Sequence, residues 1–252
     1  MTLPARDRHV VELVGRFRQL AAQHVAALVF PDAASATPLK RTLGRLAEGK
    51  YLVRLDRPHR AIGGVGGGSG QYVYQLGPAG WRLLERDGRY WAFRKVDNHT
   101  LAIADLYVSL TRAERTGRLA IVEYRPEPAC HVTIGGVKLE PDAYMEIGIH
   151  ARGLKYPYFV EVDLASEHTS SKGKIETKLK GYWHAYRQAT PEQHFPLVLF
   201  TVPDETRQQA IQRVVARGPN AARALFYVVP SDQIADWLVT EAPALLAAIS
   251  EA

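Results

Sequence analysis

The sequence predicts an α+β chain in two parts, a small helix-rich part containing one hairpin followed by an α/β domain on a mixed sheet. Three observations predict it. Apolar spacing is helical three times before two short strands appear, then alternates between strand and helix to the end. Six glycines fall in the eight residues from Gly63 to Gly70, between the first two strands. Charge also divides: residues 1–95 hold 16 basic and 7 acidic residues, a net +9, and residues 96–252 hold 16 and 19, a net −3. A basic module beside a mildly acidic one points to a polyanion as the partner of the first part.

The first helix follows from Val10, Val11, Leu13, Val14, Phe17 and Leu20. A second fits Ala22–Phe30 and ends at Pro31-Asp32. Ser35 or Thr37 is placed to cap a third, with Pro38 in its first turn and Leu39, Leu43 and Leu46 as its buried stripe. Lys40, Arg41 and Arg45 fall largely off that stripe, toward solvent or a ligand, and Gly49 stops the helix. Strands follow at Tyr51–Leu55 and Gln71–Leu76, joined by a glycine-rich tip expected to be mobile. Gly77-Pro78 turns into a helix over Ala79–Arg86, and residues 87–98 read as a packed connector.

This order is that of a winged helix-turn-helix over residues 1–90. In such a module the third helix enters a major groove of double-stranded DNA and the hairpin follows the backbone or a minor groove. Lys40, Arg41, Arg45, Lys50, Arg54, Arg57, His59 and Arg60 supply long cationic side chains for phosphates.

The second part is expected over residues 97–252. A helix spans His99 to about Arg115, and strands follow at Leu119–Tyr124, Val132–Ile134, Val137–Leu139, Pro141–Ile149 and Tyr156–Leu164. A long helix covers Lys172–Gln188. Strands at Phe195–Val202 and Ala224–Val229 then alternate with helices at Asp204–Ala216 and Ser231–Leu238. That pattern indicates a mixed central sheet covered on both faces.

Three carboxylates stand out. Glu161 and Asp163 share one face of a strand by alternation, and Asp142 opens the strand before it. If those strands pair, the acids converge on one point and suit Mg²⁺ or Mn²⁺. Lys174, Lys178 and Tyr182 lie four residues apart on the following helix. A lysine aimed at such a centre would stabilise charge developing on a phosphate.

Pro141-Asp142 followed by Glu161-x-Asp163 resembles the PD-(D/E)XK nuclease core. A winged helix-turn-helix, then PDAYMEI, FVEVDLASE and KLKGYWHAY, resembles the replication-relaxation family from about residue 8 to 230. That resemblance implies a restriction-endonuclease-like C-terminal fold. It also implies a bacterial plasmid or mobile-element protein that binds DNA in plasmid replication or mobilisation. The nuclease core places lysine two residues after its second acid, and Asp163 stands there instead. By analogy with related nucleases Lys178 takes that role, with Lys174 in reserve. Asp142 and Glu161 would be metal ligands, Asp163 a ligand or a water-orienting acid, and Lys178 would steady the transition state. The other reading is a non-catalytic regulator that uses this domain to dimerise or to recruit a replication or relaxase protein.

Glu114 is more often solvated than a ligand. His168, His184 and His194 lack ligand spacing. Tyr182 and Tyr186 suit helix packing better than nucleophilic attack. Residues 63–70 lack the Gly-Lys-Ser/Thr of a phosphate loop. Cys130 has no catalytic partner and reads as inert. No run approaches a membrane span, and the charged start does not resemble a signal peptide, so a cytoplasmic protein is expected.

Overall fold

The computed structural model describes residues 3–55, 72–149, 153–165, 171–190 and 194–240, the side chains of 171 and 172 excepted. The chain divides into two compact units, Met1–Val108 and Ser109–Ala252.

The first unit runs α1 (Ala5–Phe17), β1 (Gln19–Ala21), α2 (Ala22–Val29), α3 (Thr37–Glu48), β2 (Leu52–Leu55), β3 (Val73–Leu76) and α4 (Pro78–Leu83), and takes in most of α5 (Asn98–Arg115). The strands form an antiparallel sheet in the order β1-β3-β2. Val10, Val11, Leu13, Val14 and Phe17 of α1 are buried, and α1 packs against β1 and β3. Apolar spacing predicts that this helix continues through Leu20, but α1 ends at Phe17. Arg18 takes a left-handed φ of 67°, and the chain leaves as a three-residue strand.

The start of α3 differs from expectation, while Gly49 stops the helix at its C-cap position as expected. Ala36 occupies the N-cap position, while the Ser35 hydroxyl accepts from Thr37 N–H at 3.4 Å. At the other end Gly49 has φ −72°, and the left-handed residue is Lys50, with φ 57°. Where α4 meets the start of β2, a Cβ on Gly80 would sit 2.2 Å from Tyr51 O, so this junction admits no side chain.

The second unit contains the end of α5, β4 (Ala120–Pro126), β5 (Val132–Ile134), β6 (Val137–Leu139), β7 (Ala143–Ile149), β8 (Leu154–Val162) and α6 (Ser171–Gln188). It continues with β9 (Leu197–Val202), α7 (Glu205–Val215), α8 (Asn220–Arg223), β10 (Phe226–Pro230) and α9 (Ile234–Thr240). Its five-stranded sheet has the order β10-β9-β8-β7-β4. β4, β7 and β8 pair antiparallel, and β8, β9 and β10 pair parallel. β5 and β6 form a separate hairpin.

The sheet is covered on both faces, as its apolar runs require. On one face Phe159, Val198, Phe200 and Val228 pack with Ile175, Leu179 and Tyr182 of α6 and Ile211 and Val214 of α7. On the other, Trp237 of α9 meets the rings of Tyr158 and Tyr227, with centroids 6.4 and 5.3 Å apart. β8 is therefore the central strand, where antiparallel pairing changes to parallel. Its C-terminal end carries Glu161, with Asp142 just before β7 beside it and Asp163 just past its last residue.

Candidate functional site

The candidate residues fall into two groups, one in each unit. In the first, α3 buries Thr42, Leu43 and Leu46 and leaves Lys40, Arg41 and Gly44 exposed. Lys50 and Arg54 are exposed beside it in sequence, and the Arg54 guanidinium lies 4.1 Å from the centre of the Tyr72 ring. Arg45 behaves differently from its neighbours. Its Nε and Nη2 donate to the two carboxylate oxygens of Asp7 at 2.8 and 2.9 Å. Asp7 is buried on α1, and this fork is the partner a buried carboxylate requires. Arg45 thus holds α3 to α1, and its pKa is raised by the hydrogen bond and by the charge of Asp7. Arg57, His59 and Arg60 lie outside the described residues.

In the second unit the register brings Asp142 beside Glu161. Ala143 pairs with Val160, and Asp142 N–H donates to Val160 O at 3.0 Å. The two acids are 6% and 2% exposed. One oxygen of Asp142 accepts from Val162 N–H at 2.7 Å, taking the place of a backbone carbonyl in the ladder. Glu161 is bound from α6, where Lys178 Nζ donates to Oε2 and the Tyr182 hydroxyl donates to Oε1 at 2.6 Å. One turn of helix separates these two residues, so the four-residue spacing seen in the sequence becomes a two-point clamp on one carboxylate.

Burial, and then the charge of Asp142, press the Glu161 carboxyl up to about 7, against the opposing pull of Lys178 and Tyr182. Burial pulls the half-exposed Lys178 down, but attraction to Glu161 and Asp142 outweighs it and its pKa is raised. Burial and the neighbouring Glu161 hold the Tyr182 hydroxyl well above its ordinary value.

Asp163 does not join them. β8 ends at Val162, so strand alternation no longer governs the next residue. Arg207 Nε and Nη2 donate to the two oxygens of Asp163 at 2.9 and 2.7 Å, and Ala165 N–H donates to Oδ1 at 2.8 Å. Arg207 itself sits in the first turn of α7, where its N–H is capped by Asp204 Oδ1 at 2.8 Å. Among the described residues no three His, Cys, Asp or Glu side chains gather as a metal site. The donor set does not fit Mg²⁺ or Mn²⁺ as it stands: an ion on Glu161 would have to displace the ammonium of Lys178, and Asp163 is committed to Arg207.

Lys174 is exposed one turn before Lys178. Glu114 accepts from Ile121 N–H at 2.7 Å, so it ties the end of α5 to β4. His184 and His194 are exposed, and His168 lies outside the described residues. Cys130 is buried, its Sγ donates to Pro141 O at 2.9 Å, and burial pushes the thiol up to about 12. Arg207 and the Val162 N–H carried no signal in the sequence. Tyr182 did, in its spacing from Lys178.

The fold and these sites describe a mixed α+β protein with a cationic helix face in one unit and a buried acid–lysine–tyrosine cluster in the other. The sequence model of the replication-relaxation family matches residues 11–198, from α1 into β9, and the chain belongs to that family. No curated protein and no solved structure matches it. No helix among the described residues is long and apolar enough to cross a membrane.

Proposed function

We propose that the protein binds double-stranded DNA in plasmid replication or mobilisation, using its first unit as a winged helix-turn-helix. The observation that carries this reading is the division of labour on α3. Its apolar side and Arg45 secure the fold, while Lys40 and Arg41 are left to solvent in the position a groove-reading helix would use. Lys50 and Arg54 extend the same positive charge.

The second unit, in this reading, keeps a nuclease-like layout and uses its acidic cluster to hold α6 and α7 on the sheet rather than to cut. The partners of each acid support it. Glu161 is bound by the Lys178 ammonium and the Tyr182 hydroxyl, Asp163 by Arg207, and Asp142 is bonded to the backbone of the adjacent strand. The competing reading is metal-dependent phosphodiester cleavage, favoured by two neighbouring buried carboxylates with a lysine bound to one of them.

Supercoiled plasmid incubated with the protein and Mg²⁺ or Mn²⁺ separates the two. The proposal expects retarded but covalently intact plasmid. Nicked or linear product that disappears in both Asp142→Ala and Glu161→Ala would establish the competing reading.

A further inference from the structure

Residues 91–97 form neither helix nor strand, yet they are fastened to the first unit's sheet at both of their ends. Gln75 uses its whole amide on one residue: Nε2 donates to Phe93 O and Oε1 accepts from Phe93 N–H, both at 2.8 Å. Gln19 does the same across two residues, donating to Lys95 O at 2.9 Å and accepting from Asp97 N–H at 2.8 Å. Gln19 and Gln75 are cross-strand partners in β1 and β3, and both are buried. They act as a substitute strand edge, supplying donor and acceptor where backbone would. Val96 packs with Ala21, Val73 and Leu101 beneath. Just upstream, the Tyr90 hydroxyl donates to Leu76 O at 3.2 Å and its ring meets Trp81 edge-on.

A segment held this firmly would be expected to bury its large side chains. Instead Trp91 is 70% exposed and Phe93 44%. Leaving such rings partly in water forgoes the gain that burying their apolar surface would bring. Arg89, Arg94 and Lys95 are exposed around them, and no acidic residue lies between Gly88 and Val96. The result is a fixed strap of two rings and three cations.

We propose that this strap is a binding site for single-stranded DNA, with unpaired bases stacking on Trp91 and Phe93 and phosphates meeting Arg89, Arg94 and Lys95. Base faces stack on aromatic rings whatever the sequence, and cations alongside track the backbone. An apolar protein partner would cover the rings but leave three cations without counter-charge, so the charge favours the nucleic acid. Fixing the backbone beforehand lowers the ordering cost of binding. A duplex hides its base faces, so the strap and the exposed face of α3 take different forms of DNA. The proposal deepens the DNA-binding reading above but stands on separate residues.

Fluorescence anisotropy of the full chain with labelled oligothymidine and with labelled duplex tests it. Trp91→Ala/Phe93→Ala is expected to weaken oligothymidine binding by about tenfold or more and to leave duplex affinity unchanged. Lys40→Ala/Arg41→Ala is expected to do the reverse. Trp91→Phe, which keeps a stacking ring, is expected to retain most single-strand affinity. If the double variant is misfolded by circular dichroism, Trp91→Ala alone serves, since that side chain is mostly in solvent. The proposal is overturned if oligothymidine does not bind the wild type, or if it binds wild type and ring-less variant equally. It is also overturned if the ring substitutions weaken both DNAs alike, or if their sole effect is on self-association.

Discussion

Lys40, Arg41 and Arg45 carry like charge on one helix, yet the structure gives them different work. Arg45 forks onto buried Asp7, and Lys40 and Arg41 face solvent. Arg45→Ala is therefore expected to lower the melting temperature, because it strands a buried carboxylate. Lys40→Ala/Arg41→Ala should leave melting unchanged and reduce DNA affinity. Glu161 makes a second residue-scale test. The folded protein holds its proton with a pKa of about 7, against an ordinary 4.5. A group whose folded pKa is raised contributes stability that is full below the lower value and is lost as pH rises toward the higher one. Glu161→Gln is thus expected to flatten the fall in melting temperature of the wild type between about pH 5 and about pH 8. An identical pH profile in the two proteins would contradict the assignment. Residue chemistry was legible where partners sit a helical turn apart, as with Lys178 and Tyr182. It was hidden for Asp163, because its partner Arg207 arrives from a helix 44 residues away.

At the scale of elements, long periodic segments were readable from the sequence and short ones were not. α1, α3, α6 and the central strands follow from apolar spacing. β1 did not, since three residues cannot display a period of two and Leu20 also fits the preceding helix. The connector had no periodicity because glutamine side chains, not a strand ladder, hold it. Those glutamines give a direct test: Gln75→Ala should cost about 1–3 kcal/mol in chemical denaturation, the penalty of orphaning the Phe93 amide and carbonyl. A chain ended at residue 90 should melt lower than one ended at residue 108. It lacks Val96 and Leu101, which pack on Ala21 and Val73. Equal melting of the two would mean that the strap adds nothing to the unit.

For the whole molecule, the charge division survives with altered borders. Asp97 and Asp105 fall within the first unit, so Met1–Val108 carries 16 basic and 9 acidic residues, a net +7, and the second unit 16 and 17, a net −1. Part of the positive charge is consumed inside the fold, as at Arg45, and the exposed remainder is what a phosphate backbone would meet. A mixed sheet was legible from the order of strands and helices, and the pairing of β7 with β8, on which the approach of the acids was conditional, places Asp142 against Glu161. Convergence of the third acid was not legible, because it depends on where β8 stops. The central claim is that α3 presents Lys40 and Arg41 to duplex DNA, and the salt dependence of duplex affinity tests it most directly. With the wild type, the logarithm of the association constant should fall linearly with the logarithm of salt concentration. Lys40→Ala/Arg41→Ala should make that slope shallower by about one for each phosphate the variant no longer neutralises. A wild type and variant with the same affinity and the same slope would contradict it.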